Sequence, residues 1–508
     1  MHSFVEKHHQ KITGVISVFD RIILKGYLPI SWENAAEMFL ARNGVLLKDM
    51  SGFTKKQTML LKAHAQKLAH QSNRPFEYIQ KEQRNDDYAL RLAHRDGIME
   101  GLVCVISRNE TNHSFGMRYG KNRPHLVKNN PRCLTLYFYY MDREFGLMHI
   151  RLSTWMPFNI QIYINGHEWL AKRMDAKGIR YTQCDNAFSA IDNCPLAQQL
   201  ADSLPRVGWE KKLHVFARRV NPLLKTILHG MEYYWVIDQA ELATDIMFTD
   251  HSLLSELYET WQKHAAVCFQ ASDIMAFMGR KLHGSFSGTV VTDMKRTARV
   301  TRIKHRVRGN WIKMYNKNGV VLRVETVINR PREFRVYKFS PGKRAGDFQQ
   351  LRKGVTNMAH YARVSARANS AYLNALACVE DPIASLRLLQ RVCEPAVKDG
   401  VKSRPLNPLR DRDRKLFEAV LKGEHHIHGF KACDIGILLG VRYSSDRVMR
   451  RRQCAIVNRK IKLLRRHGLV ARCGRAKRYR VTGHGVTIMN AAIVLHHETL
   501  PDMMRKAA

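Results

Sequence analysis

Three sets of side chains in this chain have the type and spacing to bind or act on a polyanion. The first set is carboxylate. Asp20 interrupts the apolar, β-branched stretch 14–26, Asp185 and Asn186 follow the short run 179–184, and Glu241 and Asp245 stand four residues apart. Carboxylate oxygens are hard ligands; three or four held together can bind divalent metals that activate water or a 3′-hydroxyl and stabilise a leaving oxygen. The second set lies between Met294 and Val324, with ten Lys/Arg, no acid, and Trp311 and Tyr315 interleaved. On a strand Trp311, Lys313, Tyr315 and Lys317 share one face. With Lys304, Arg306 and Arg308 beside them, such a face can stack on unpaired bases while clamping phosphates. The third set runs from Asp446 to Arg480, where fourteen Lys/Arg face a single acid. A further polar group (His149, Arg151, Trp155, Gln161, Asn165, His167 and Glu168) could line a cleft for phosphate or a metal. Lone histidines of this kind are more often satisfied core or surface residues, so no chemistry is assigned to them. The chain has no phosphate-binding G-x-x-x-x-G-K-[ST] loop, G-x-S-x-G, H-E-x-x-H or dinucleotide fingerprint, which sets aside nucleotide-driven and common hydrolase chemistry.

These groups need elements to hold them. Residues 14–26 read as a strand carrying Asp20, followed by helical stretches at 32–43 and from 54 to about 93. Strand signals return at 101–107. A hairpin follows, from Cys133–Met141 and Leu147–Ser153. The run 160–164 leads through Asn165-Gly166 into a helix from His167 to about Lys177, which Gly178 ends, and a short strand 179–184 follows. Residues 210–285 read mostly as helices, with 233–248 the most periodic, which would put Glu241 and Asp245 on one helix face. Asn318-Gly319, flanked by 311–317 and 320–328, is a strong hairpin signal, because both residues tolerate positive φ. Helices resume from Phe348 to Arg391, and the proline-bearing stretch 396–412 has linker composition.

Beyond it come a helix at 413–421, a second at 431–439, a third from Asp446 to His467, a hairpin over 469–482 and a last helix from near Gly485. Leu463-Leu464-Arg465-Arg466-His467-Gly468-Leu469-Val470, followed by Arg478-Tyr479-Arg480-Val481-Thr482, closely resembles winged-helix regulators and transposon DNA-binding domains. The resemblance implies DNA contact by Arg450, Arg451, Arg459 and Arg466 on the third helix and by Arg475, Lys477 and Arg478 on the wing. The order of strand, hairpin, helix and strand in the first part looks like the RNase H-like order of DDE-type transposases and nucleases. Asp185-Asn186-x-Phe188 is similar to the Asp-Asn that often follows the fourth strand of integrases. That likeness implies a Mg²⁺ site on Asp20, Asp185 and Glu241 or Asp245, with the last acid on a late helix. Tyr315-x-Lys317 and Arg323-x-Glu325 faintly resemble strands of rolling-circle replication initiators. The histidine triplet that family needs occurs only as His426-Ile427-His428, within the winged helix.

Composition agrees with a nucleic-acid partner. The 508 residues carry 84 Lys+Arg against 44 Asp+Glu, a formal net charge of +40, while 45% hydrophobic residues suffice for a real core. Such a body repels itself unless a polyanion neutralises it. There is no run of 18 apolar residues, so no membrane partner is expected, and the opening MHSFVEKHHQKITG lacks the apolar core of a secretory signal. Ten scattered cysteines without a C-x-x-C pair argue against a zinc ribbon or disulfide framework and for a reducing, cytoplasmic or nucleoid location. The expected architecture is a multidomain α/β (α+β) chain. It comprises an RNase H-like mixed sheet with helical insertions (1–290), a basic β-hairpin and helical region (291–395), a linker (396–412) and a winged helix (413–508). The expected function is that of a mobile-element-type, Mg²⁺-dependent DNA nuclease or transposase. The alternatives are a non-catalytic RNA- or DNA-binding protein (a ribonucleoprotein component or regulator) or a replication initiator. A homodimer is left open.

Overall fold

The computed structural model describes residues 1–80, 84–120, 123–282, 286–296, 301–339, 346–377, 392–398, 400–407, 410–423, 425, 429–473 and 478–494. Fifteen strands are needed to place the site. In chain order they are β1 (Ile12–Tyr27), β2 (Phe76–Tyr78), β3 (Gly101–Thr111), β4 (Ser114–Tyr119), β5 (Pro124–Asn129), β6 (Arg132–Asp142), β7 (Gly146–Ser153), β8 (Ile160–Ile164), β9 (Tyr181–Cys184), β10 (Ala187–Ile191), β11 (Tyr234–Phe248), β12 (Val290–Arg296), β13 (Thr301–Val307), β14 (Asn310–Lys317) and β15 (Val321–Ile328). The architecture is mixed α/β, with a large mixed sheet of eleven strands in the order β12-β13-β14-β15-β11-β1-β8-β7-β6-β3-β2. Two-stranded sheets join β4 to β5 and β9 to β10. The chain divides into two compact units, one of Gly14–Met247 with Glu325–Ala366, the other of Met1–Thr13, Phe248–Val324 and Arg367–Ala508.

In the first unit the expected hairpin forms. β6 and β7 pair antiparallel down to Asp142 opposite Gly146, whose φ of +66° closes the turn. Burial alternates along β7 and β8: Met148, Ile150, Leu152, Ile160, Ile162 and Ile164 are buried, while His149, Arg151, Gln161 and Tyr163 on the opposite face are partly exposed. This is the period of two that a pleated strand imposes. β8 lies antiparallel to β1, with Ile22 opposite Ile164 and Leu24 opposite Ile162. The even-numbered side chains of β1 from Ile16 to Gly26, Asp20 among them, fall on its buried face. The helix expected after Asn165-Gly166 spans Gly166–Asp175, with the Asn165 side chain capping the His167 N–H.

One reading of this region is corrected. Residues 233–248 form no helix but the strand β11, whose residues are almost all buried. A strand covered on both faces shows a continuous apolar run instead of alternation, and periodicity alone cannot tell it from a buried helix. The short strand expected at 179–184 forms as β9 and pairs with β10 in a two-stranded sheet; the neighbours of β1 are β8 and β11.

In the second unit, β13 and β14 pair antiparallel through the tight turn Arg308-Gly309, both with positive φ. The predicted Asn318-Gly319 turn also forms, with φ of +54° and +78°. The C-terminal helices are Asp411–Val420, Ala432–Leu438 and Arg447–Arg466, followed by strands Val470–Arg472 and Tyr479–Val481 and a helix Gly483–Val494. Asp446 caps the third helix through the Met449 N–H, and Gly468, at φ +74°, follows its end. Phe417, Phe430, Ile435, Val457, Ile461, Leu464 and Ile488 form their common core. Leu406, in the stretch expected to be a linker, is buried in that core, and Arg404 pairs with Asp413 at 2.5 Å. At Leu406 and Arg404 the segment therefore packs against the C-terminal helices instead of spacing, because the apolar side chain has a core to enter and the charge has a partner.

Candidate metal centre and nucleic-acid interface

Gly166 explains how the centre is assembled. A Cβ at this position would lie 2.1 Å from the Phe19 carbonyl oxygen, so only glycine lets the helix start against the backbone of β1. The next residue, His167, is thereby fully buried beside Asp20. Its Nδ1 lies 3.2 Å from Asp20 Oδ1 and its Nε2 3.3 Å from Asp245 Oδ2. Asn186 Nδ2 donates to Asp20 Oδ1 at 2.5 Å. Ser17 on β1 and Thr244 on β11 meet at 2.9 Å, tying the two strands together near the acids.

Asp20, Glu241 and Glu325 come from β1, β11 and β15, three successive strands of the sheet. Each offers a carboxylate oxygen, and these oxygens all lie within 4.8 Å of one another. All three residues are buried: Asp20 is 8%, Glu241 5% and Glu325 0% exposed. Like charges this close in a poorly solvated place need a cation or protons to balance them. The set is all oxygen, which suits a hard divalent ion such as Mg²⁺. Arg21 supplies part of the balance. Burial works to lower its pKa, but Glu241, Tyr163, Asp20 and Glu325 outweigh that and hold it above the ordinary arginine value.

The structure thus brings together two of the expected ligands, Asp20 and Glu241, and completes the cluster with Glu325. Asp185 is not part of it; it sits at φ +53° on the β9–β10 turn and lines a neighbouring cavity. Asp245 is held by His167. Both Glu241 and Asp245 stand on a strand, where a spacing of four also keeps one face but separates the residues by about 13 Å. Glu325 went unassigned because nothing local marks it as a ligand. Its one signal is a charged pair, Arg323 and Glu325, inside the apolar run VLRVETVI, all of which is buried. Of the polar group around β7, His167 joins the centre, whereas Arg151 pairs with Glu110 at 2.9 Å in a contact of its own.

The basic face of the second unit forms as the strand period requires. Ile303, His305, Ile312 and Met314 are buried; Arg302, Lys304, Arg306, Trp311, Lys313 and Tyr315 alternate with them on the other face. Register places Lys304 opposite Lys313, Arg306 opposite Trp311 and Arg302 opposite Tyr315. The Lys304 ammonium stands 4.0 Å from the centre of the Trp311 ring. Burial, then Arg306 and Arg302, push the Lys304 pKa below the usual lysine value. Arg306 pairs with Asp293 at 2.7 Å, Arg308 turns over the Phe286 ring, and Lys317 ends β14. Like charges directly across a strand pair oppose each other, and a bound phosphate relieves them.

On the third C-terminal helix Arg450, Arg451 and Arg459 are exposed, while Arg466 is half-buried and donates to Ser403 Oγ at 3.1 Å. Arg478 is exposed; Arg475 and Lys477 of the expected wing, and His426-Ile427-His428, lie outside the described residues. Among the described residues, no helix is long and apolar enough to cross a membrane. Comparison of the sequence with protein-family models gives no match, and neither does comparison with curated proteins.

Proposed function

We propose that this protein is a metal-dependent nuclease or strand transferase of mobile-element type that acts on DNA. The observation that carries the reading is the meeting of Asp20, Glu241 and Glu325 within 4.8 Å, on three strands of one sheet. The carboxylates of these three residues would hold Mg²⁺, which supplies an activated water or 3′-hydroxyl and charge for the leaving oxygen. Asn186 donates to Asp20 Oδ1, and His167 Nδ1 lies 3.2 Å from the same oxygen. The aromatic and basic face of β13 and β14 would hold unpaired strand, and the C-terminal helices, read as a winged helix, would find duplex.

The test is cleavage of single-stranded and duplex DNA with Mg²⁺, with Mn²⁺ and with EDTA. Asp20→Asn and Glu325→Gln are expected to lower the rate on the order of 100-fold or more while leaving DNA affinity nearly intact. Asp185→Asn is expected to keep cutting. Undiminished cleavage by the Asp20→Asn/Glu325→Gln double variant would remove the site.

The burial of all three acids favours a second reading, in which they are a structural charge cluster and the chain is a non-catalytic nucleic-acid-binding protein. On that reading no metal yields cleavage, and a discrete RNA or DNA species stays bound through purification in high salt.

A further inference from the structure

Beside the acid cluster, within the same unit, lies a cavity of about 870 Å³. Its floor is a row of rings in register across three strands: Tyr139 opposite His149, and His149 opposite Tyr163. His149 and Tyr163 stack with centroids 4.9 Å apart and planes 7° from parallel, and Arg21 lies over Tyr163 at 5.7 Å. Leu90 and Met99 add apolar wall. The opposite charges are mixed: Arg21, Arg84 and Lys172 share the lining with Asp86, Asp87, Glu168 and Asp185. A phosphate would meet four carboxylates here, whereas an uncharged, flat heterocycle finds rings to lie against and both donors and acceptors for its edges. The volume falls in the range of small-molecule sites, roughly 300–1,000 Å³.

Two single atoms of the lining also lack the partner that a buried polar atom needs. Arg21 Nε and His149 Nδ1 are buried without a hydrogen bond; the nearest acid to His149, Asp86, stands 3.6 Å away and accepts instead from the Tyr139 hydroxyl at 2.7 Å. Such atoms are uncommon in a finished interior and mark a place that something else completes. Burial, the largest influence, drives the His149 pKa down to about 4, so near neutral pH its ring offers one donor and one acceptor. Asn186, which lines the cavity, is the same side chain that donates to Asp20.

We propose that this cavity receives a single unstacked nucleobase, so that the strand carrying it runs past Asn186 to the acid cluster. The proposal rests on the nuclease reading for its purpose, but its test does not. Full-length protein is titrated, in EDTA, with single-stranded oligonucleotides in which one abasic position is walked along the sequence. Removal of the base at one position is expected to weaken binding about tenfold, the worth of one stacked base, while removal at other positions does much less. His149→Ala removes one ring from the row, and the stacking with it; it is expected to flatten the profile to within about twofold. Should that variant fail to fold by circular dichroism, Tyr163→Leu, which takes out the ring stacked on His149, serves the same purpose.

The four deoxynucleoside monophosphates, added one at a time in a thermal melt, separate the two sources of a base. A flat abasic profile with a melting shift that His149→Ala abolishes assigns the cavity to a free nucleotide and keeps its base chemistry. A flat profile with no shift overturns the proposal. Because no metal is present, neither result depends on whether the chain cuts; loss of cleavage with a peaked abasic profile would overturn the nuclease reading alone.

Discussion

At His167 the imidazole is fully buried between two carboxylates, 3.2 Å from Asp20 and 3.3 Å from Asp245. A hydrogen bond to a charged group contributes about 1.5–3 kcal/mol, and a histidine merely filling the core would contribute packing alone. His167→Phe is therefore expected to cost about 2–3 kcal/mol in urea unfolding, and with Mg²⁺ to lower any cleavage by disordering Asp20. His167→Gln, which keeps a donor, should restore part of both. A loss of stability below about 0.5 kcal/mol for the phenylalanine variant would mean that these contacts are not the ones that hold the acids. His167 is a positioning residue on this account, since it acts on the candidate ligand Asp20 rather than on substrate.

At the level of elements, the β13–β14 pair separates two contributions to binding. Trp311 offers a ring face beside Lys304, and Lys313 offers a charge opposite it. Trp311→Ala is expected to weaken single-stranded DNA binding by about 1–3 kcal/mol with little change in its salt dependence. Lys313→Ala is expected to lower the slope of log K against log salt by about 1 and to act alike on all sequences. Equal effects of both variants on the salt slope would count against stacking at Trp311. The exposed Arg450, Arg451 and Arg459 make the matching forecast for the third C-terminal helix, with duplex as the probe.

Across the whole molecule the charge of +40 and the buried histidines set the response to solution conditions. His8, His149 and His305 each have pKa values pushed down to about 4, in every case chiefly by burial. Unfolded, a histidine titrates near 6.5. Their contribution to stability is thus fully present above about pH 6.5 and is lost as the pH falls towards 4, because the unfolded chain takes up protons that the folded chain refuses. Midway through that window three such groups steepen the slope by up to about 4 kcal/mol per pH unit. Urea midpoints measured from pH 7.5 to 4.5 in nucleic-acid-free protein should therefore fall, and a flat profile would show that these rings are protonated in the folded state.

What the sequence determined by itself was local. The turn at Asn318-Gly319, the hairpin at 133–153, the cap at Asn165-Gly166 and the order of the C-terminal elements all follow from side chains a few residues apart, and all are present in the fold. The excess of positive charge needs no fold at all. The tertiary structure alone decided the composition of the acid cluster. β11 is covered on both faces, so its apolar residues do not alternate and the helical spacing read there fits a buried strand as well, which misplaced Glu241 and Asp245. Glu325 meets Asp20 only because β15, β11 and β1 lie side by side, and that adjacency is set by which apolar faces are buried together, not by any motif near either acid. Asp185 shows the converse: its sequence surroundings match a ligand's, but its strand pairs with β10, and a short local hairpin costs less chain entropy than a distant partner.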